Sequence, residues 1–333
     1  MTKGTKIIAV LLGITMLWTA FITLAFFACG KTLVLDNDYG IIVAGVEVTK
    51  SNKDDILGDG TVSYSASTNT LFFDNAHIEF DNVIVYTTTD LKIMLYGENK
   101  FICKDADYIT AISAIEYDLY KDLSINGDGT LTIEYQNVSA NAQAIVAADL
   151  IIGSDVTITT TDCTGTVNGI VSSSTLLLVN KATVTVNNGA GTYSAAVRVR
   201  GNTFLEEGTT LHITAKPGTT GTCKGLSVNG DLFLGKNSAV HVEVDDEAAE
   251  TSECLRVTGL LEVGPGSTVT ATAKKTNAIK CYGTMELNEE AVLSAKTSGA
   301  AADIFCHGAL VNYGAAIDGE MDILGGIHDL IRE

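Results

Sequence analysis

Short runs of alternating apolar and polar residues fill the chain from about residue 70 onward. Val, Ile, Leu and Thr dominate these runs, and Gly, Ser, Asn and Asp cluster between them. A period of two predicts β-strands with one buried face, and such clusters predict turns. Clear pairs of runs lie at residues 150–152 and 156–158, 176–178 and 184–186, and 232–234 and 239–244. No comparable stretch in this region has the period of a helix, so we predict an all-β fold.

One six-residue block recurs along the second half of the chain and ends each time in glycine. The copies lie at residues 196–201, 225–230, 254–259, 278–283 and 303–308. Two further strand-like runs follow the block, which gives three strands per repeat of about 25–29 residues. This period predicts a parallel β-helix, in which stacked turns bury one continuous core. A leucine-rich repeat has a similar period but needs a recurring Asn and a helical segment, and neither is present.

The first part of the chain lacks this repeat. Residues 31–80 hold hairpin-like runs with turns at residues 58–60 and 67–69. We predict that they form an N-terminal β-hairpin cap, because an uncovered end of a β-helix is an open sheet edge that invites aggregation. The parallel β-helix is then predicted over residues 81–333.

The N-terminus predicts export. Lys3 and Lys6 precede 22 uncharged residues, 7–28, which would span about 33 Å as a helix. We therefore assign residues 1–30 to a leader with three alternatives: an uncleaved membrane anchor, a cleaved signal peptide, or a lipoprotein signal with lipidation at Cys29. In each case the body is exported, and we place it at the extracellular face of the cell membrane, at the cell surface, where an anchor or a lipid would tether it.

Composition narrows the range of functions. Hydrophobic residues make up 46% of the chain, which excludes disorder. The chain has 21 basic and 40 acidic residues and a net charge of −19, so we expect no binding to nucleic acid. We also expect a monomer. No Cys-x-x-Cys pair occurs among the seven cysteines, and the repeat predicts that Cys281 and Cys306 replace valines in the core.

The predicted cap and one later turn carry a family resemblance. The sequence reads Tyr-Gly-Ile-Ile-Val-Ala-Gly-Val at 39–46, Asp-Ile-Leu-Gly-Asp-Gly-Thr-Val at 55–62 and Asn-Gly-Asp-Gly-Thr-Leu-Thr-Ile at 126–133. It resembles surface proteins of anaerobic gut bacteria known as carbohydrate-binding-domain proteins. The resemblance implies a right-handed β-helix related in shape to pectin-binding and pectin-cleaving proteins. It supplies no catalytic residues.

Alignment of the repeat predicts two outward-facing rows of side chains. Alternate residues of a strand point to opposite faces, so the neighbours of the inward valines point outward. One row is Arg198, Ser227, Arg256, Lys280 and Phe305, and the other is Arg200, Asn229, Thr258, Tyr282 and His307.

Basic side chains bind sugar carboxylates, and a tyrosine ring can stack on a pyranose. We therefore predict carbohydrate binding by Arg198, Arg200, Arg256, Lys280, Tyr282 and His307. The alternative is a solvated face whose cations neutralise nearby acids.

An acidic loop offers a weaker candidate. Asp245, Asp246 and Glu247 could bind calcium with backbone oxygens, but no EF-hand spacing is present. Alternatively, Lys274 and Lys275 in the next turn pair with them. Apart from this possible calcium ion, we expect no cofactor.

The sequence thus predicts a surface-tethered, non-catalytic protein that binds a polysaccharide, possibly an acidic one such as pectin, and contacts the membrane through its N-terminal segment. One alternative is a polysaccharide lyase or hydrolase of the same fold, although no catalytic arrangement is identifiable. The other is an adhesin or structural surface protein.

Overall fold

Three sheets of stacked strands form the body of the protein, and each turn of the chain adds one short strand to each sheet. The computed structural model describes residues 39–329 except 105–107, 137, 139–140, 161–162, 164, 190–191, 217–220 and 248. In this part of the chain every element is a β-strand. The predicted all-β parallel solenoid is therefore confirmed.

The first sheet has 13 strands. They are β1 Ile41–Val43, β2 Val46–Glu47, β6 Val85–Thr87, β9 Tyr108–Glu116, β10 Leu119–Tyr120, β13 Asn141–Ala147, β16 Thr166–Ser172, β19 Tyr193–Val199, β22 Thr222–Val228, β25 Thr251–Val257, β28 Ile279–Cys281, β31 Ile304–Cys306 and β34 Met321–Ile323.

The second sheet has 12 strands. They are β3 Val62–Ser65, β4 Thr70–Asp74, β7 Leu91–Tyr96, β11 Leu123–Gly127, β14 Leu150–Ile152, β17 Leu176–Leu178, β20 Thr203–Leu205, β23 Leu232–Leu234, β26 Leu261–Val263, β29 Met285–Leu287, β32 Leu310–Asn312 and β35 Ile327–Asp329.

The third sheet has 10 strands. They are β5 His77–Phe80, β8 Glu98–Lys104, β12 Thr130–Gln136, β15 Asp155–Thr160, β18 Thr183–Asn188, β21 Thr210–Ala215, β24 Ala239–Val244, β27 Thr268–Ala273, β30 Val292–Thr297 and β33 Ala316–Asp318.

Strict register between successive turns builds the core. Val199 pairs with Val228, which pairs with Val257, and the row continues through Cys281 and Cys306. All five side chains are fully buried, as the repeat predicts. Both cysteines are free thiols in this structure, so they act as small apolar core residues.

Two antiparallel hairpins, β1–β2 and β3–β4, lie where the sequence predicts a cap. Strand β1 also runs antiparallel to β6 and covers the first edge of the first sheet. Parallel stacking begins earlier than residue 81, because β4 and β5 already pair in parallel with β7 and β8. The described part of the predicted cap, residues 39–80, therefore contributes both hairpins and the first stacked strands.

A ladder of aspartates supports the corner between the first and second sheets. Asp122 and Asp149 each donate a backbone N–H to the carboxylate of the preceding turn, on Asp90 and Asp122, with N–O distances of 3.1 Å. Asp149 accepts in turn from the N–H of Thr175 at 3.0 Å. These acids satisfy backbone donors at a corner, so their recurrence has a structural cause.

The predicted leader, residues 1–30 with Cys29, lies outside the described residues. None of the described residues forms a helix that could span a membrane.

Candidate functional site

The predicted cationic row lies on the outer side of the first sheet, where β19, β22, β25, β28 and β31 run side by side. Arg198 pairs in register with Ser227, and Ser227 with Arg256. The row continues from Arg256 to Lys280 and Phe305. Neighbouring strands lie about 4.8 Å apart, so these five residues form one ladder along the solenoid axis. We call them the cationic ladder.

A second row follows immediately after these strands. The backbone N–H groups of Thr258, Tyr282 and His307 donate to the strand residues of the preceding turn at 2.9–3.0 Å. Arg200 and Asn229 make the equivalent bonds at 3.0 Å. All five side chains are exposed. The structure therefore brings all six sequence-predicted binding residues to one face.

Cations and aromatic rings alternate at the downstream end of this face. The guanidinium carbon of Arg256 lies 5.3 Å from the centre of the Tyr282 ring, and Lys280 Nζ lies 5.5 Å from it. Lys280 Nζ is also 5.7 Å from the Phe305 ring. These distances fit cation–π contacts, which orient both cations along the surface. Arg256 additionally donates to Asn229 Oδ1 at 2.8 Å.

Arg198 is incompletely satisfied. Its Nε is shielded from solvent and has no hydrogen-bond partner among the described residues. The ion pairs of the described residues also leave Arg198, Arg200 and Lys280 without a carboxylate. A shielded guanidinium donor gains free energy from an anionic acceptor, because burying it unpaired is costly.

The structure also places one carboxylate, Glu253, on this face, where the sequence did not predict it. Glu253 lies 3.4 Å from Arg256 Nε and 2.8 Å from Lys224 Nζ. Residues three apart on a regular strand point to opposite faces, so simple alternation places Glu253 and Arg256 apart. Between these two residues the strand does not alternate between buried and exposed side chains, since the consecutive residues Cys254 and Leu255 are both buried. Arg256 and Lys224 therefore share the single carboxylate of Glu253, and no acid of the acidic loop pairs with Arg256 among the described residues.

Upstream of Arg198 the same row becomes apolar and sheltered. Val171 pairs with Arg198 and is only 3% exposed, and Val146, one turn earlier, is 1% exposed. Within the cationic ladder Ser227 is also buried, at 4% exposure, so Arg198, Arg256, Lys280 and Phe305 are its partly accessible side chains.

The acidic loop is paired with residues 274–276 of the next turn. Asp246 is fully buried and accepts hydrogen bonds from the backbone N–H groups of Lys274, Lys275 and Thr276 at 2.7–3.1 Å. The Ser252 hydroxyl donates to the same carboxylate.

Lys274 also binds the two acids on either side of Asp246. Its Nζ lies 2.9 Å from Asp245 and 3.1 Å from Glu247. The Lys274 hydrogen bond holds the pKa of Asp245 below its usual value. Across the described residues, no group of three or more His, Cys, Asp or Glu side chains is arranged to hold a metal ion. The calcium hypothesis stays a prediction.

Two histidines share a register on a different sheet. His212 and His241 stack on the third sheet with ring centres 4.7 Å apart and planes 11° apart. Burial, and secondarily the neighbouring His212, lower the pKa of His241. This pair does not belong to the face formed by the cationic ladder.

The fold and this face define a β-solenoid protein with a ladder of cations and aromatic rings along one sheet. Comparisons of the chain with protein-family models, curated proteins and solved structures give no match. The family resemblance inferred from the sequence therefore stays an expectation.

Proposed function

We propose that this protein is a non-catalytic carbohydrate-binding protein that holds an acidic polysaccharide along the cationic ladder. The observation that carries the proposal is the in-register alignment of Arg198, Arg256 and Lys280 beside Tyr282 and Phe305. Among the described residues, Arg198, Arg200 and Lys280 have no carboxylate partner, and three such cations on one face are unexpected in a chain with a net charge of −19.

The chemistry of the face suits a chain of uronic acids. Guanidinium and ammonium groups bind carboxylates through charge-assisted hydrogen bonds. The rings of Tyr282 and Phe305 offer apolar surface to the C–H face of a sugar. Arg256, Lys280 and Phe305 lie on successive strands about 4.8 Å apart, so an extended polysaccharide along the axis can contact all three side chains.

The proposal includes attachment to the outer face of the cell membrane. It rests on the basic start of the chain and on the uncharged residues 7–28, which can either anchor the chain or direct its export. A polysaccharide of the surroundings is then within reach of the solenoid.

Binding of the full-length protein to immobilised polygalacturonate tests the proposal. The same polymer with its carboxyl groups methyl-esterified is the matched ligand control. We expect retention on the free acid only, and weaker retention at high salt, because added ions screen exposed charges. Lys280→Ala should weaken binding about fivefold, which corresponds to about 1 kcal/mol. Lys296→Ala removes the same charge from an exposed position on the third sheet and should change nothing.

Three results would contradict the proposal. Absence of retention on the free acid would remove the polysaccharide ligand and favour an adhesin or structural protein. Release of unsaturated or reducing oligosaccharides would show a lyase or hydrolase. An equal loss with Lys296→Ala would show non-specific attraction by the whole surface.

A further inference from the structure

A shallow cavity of about 250 Å³ opens on the first sheet, beside the cationic ladder. It is formed at the beginnings of β19, β22 and β25, where the chain enters this sheet. Its lining residues are Tyr193, Thr222, Lys224, Thr251, Ser252 and Glu253. None of them belongs to the two rows predicted from the sequence.

The walls carry three kinds of group. Tyr193 supplies an aromatic ring, and Thr222 and Thr251 supply hydroxyls that bond to each other at 2.8 Å. Lys224 and Glu253 form an ion pair of 2.8 Å within the lining. An aromatic surface beside several fixed donors and acceptors matches a sugar ring, which has an apolar C–H face and a rim of hydroxyls.

The size and charge of the cavity restrict the class of ligand that it can bind. Pockets for drug-sized ligands have volumes of about 300–1,000 Å³, so this smaller cavity suits one sugar ring and not an oligosaccharide. Glu253 is neutralised by Lys224 and also lies 3.4 Å from Arg256 Nε. Among the described residues, the lining therefore has no unpaired cation for a uronate. A carboxylate can accept hydrogen bonds from the hydroxyls of a neutral sugar, and the ammonium group beside it can donate to them.

We infer that this cavity binds a single neutral hexopyranose unit. Glu253 joins the cavity to the cationic ladder through Arg256, so the unit is a branch or chain end of the polysaccharide bound there. This last link rests on the proposed function, whereas binding of the free sugar does not.

Saturation-transfer NMR of the full-length protein with the methyl glycosides of glucose, galactose and mannose tests the inference. We expect transfer to at least one glycoside and a dissociation constant about tenfold higher for Tyr193→Ala, the upper range for one aromatic contact. Thr222→Val keeps the side-chain shape, removes one hydroxyl and should also weaken binding. Tyr96→Ala removes an exposed tyrosine of the second sheet and is the matched control.

The two proposals can fail separately. Lys280→Ala should leave glycoside binding unchanged, because the probes are neutral and too small to reach along the cationic ladder. Absence of transfer to all three glycosides would overturn the cavity assignment while leaving retention on polygalacturonate intact. Equal weakening by Tyr96→Ala and Tyr193→Ala would overturn it as well.

Discussion

Replacement of Asp246 by alanine tests how the loops of this solenoid are held together. Asp246 follows β24 and is fully buried, and its carboxylate accepts three backbone N–H groups from residues 274–276 of the next turn. It therefore ties two successive turns together at the exit from the third sheet. Alanine removes the acceptor and leaves three backbone donors without it.

The magnitude follows from these three bonds. An unsatisfied buried donor costs about 1–3 kcal/mol, and removal of one partner of a buried charged network costs about 3–5 kcal/mol. The donor loop borders solvent, so water replaces part of what is lost, and we expect about 3 kcal/mol for Asp246→Ala. Asp246→Asn keeps one carbonyl acceptor and should be intermediate. Asp245→Ala removes only a half-exposed pair with Lys274 and should cost less than about 1 kcal/mol.

Urea unfolding followed by circular dichroism measures the overall effect. Stacked turns can open locally, so hydrogen exchange of the amides of residues 274–276 supplies the local measurement. We expect their protection to fall in Asp246→Ala and to persist in Asp245→Ala. Equal stability and equal exchange in the two variants would refute the assignment of Asp246 as the tie between turns. Stabilisation of the unchanged protein by calcium that is lost in Asp245→Ala would instead show a metal site in this loop.

Two further predictions concern titratable groups elsewhere. Burial raises the pKa of Cys103 to about 12 and that of Cys223 to about 12, so both thiols stay protonated at pH 8. Both should therefore react with a thiol reagent only after unfolding, and rapid labelling of the native protein would contradict this prediction. Burial is the main cause, and the neighbouring His212 the smaller one, of a pKa of His241 below 6.5. The unfolded chain therefore binds more protons than the folded one, and the fold loses stability as the pH falls through about 6.5. His241→Gln should flatten that pH dependence in thermal melts, and an unchanged slope would disprove the contribution of His241.

Much of the fold was predictable because the repeat is short and local. The register that aligns Val199, Val228 and Val257 in the core can be read from the spacing of the glycine-ended blocks. The same alignment places Arg256 beside Lys280 on the outer surface. The extent of the cap was harder to predict, because β4 is at once half of a hairpin and the first parallel strand of the second sheet.

The amino-acid sequence by itself determined the three-strand turn, the buried valine row and the two outward rows, because a period of two fixes the direction of every side chain while a strand stays regular. Only the tertiary structure decided where the strands depart from that regularity. The consecutive burial of Cys254 and Leu255 turns Glu253 toward Arg256. Glu253, Lys224 and Tyr193 then line one cavity, which the alternation of side chains alone does not reveal. Tertiary packing likewise decided how the acidic loop is paired, since the backbone N–H groups that bind Asp246 come from a turn 28–30 residues later in the chain.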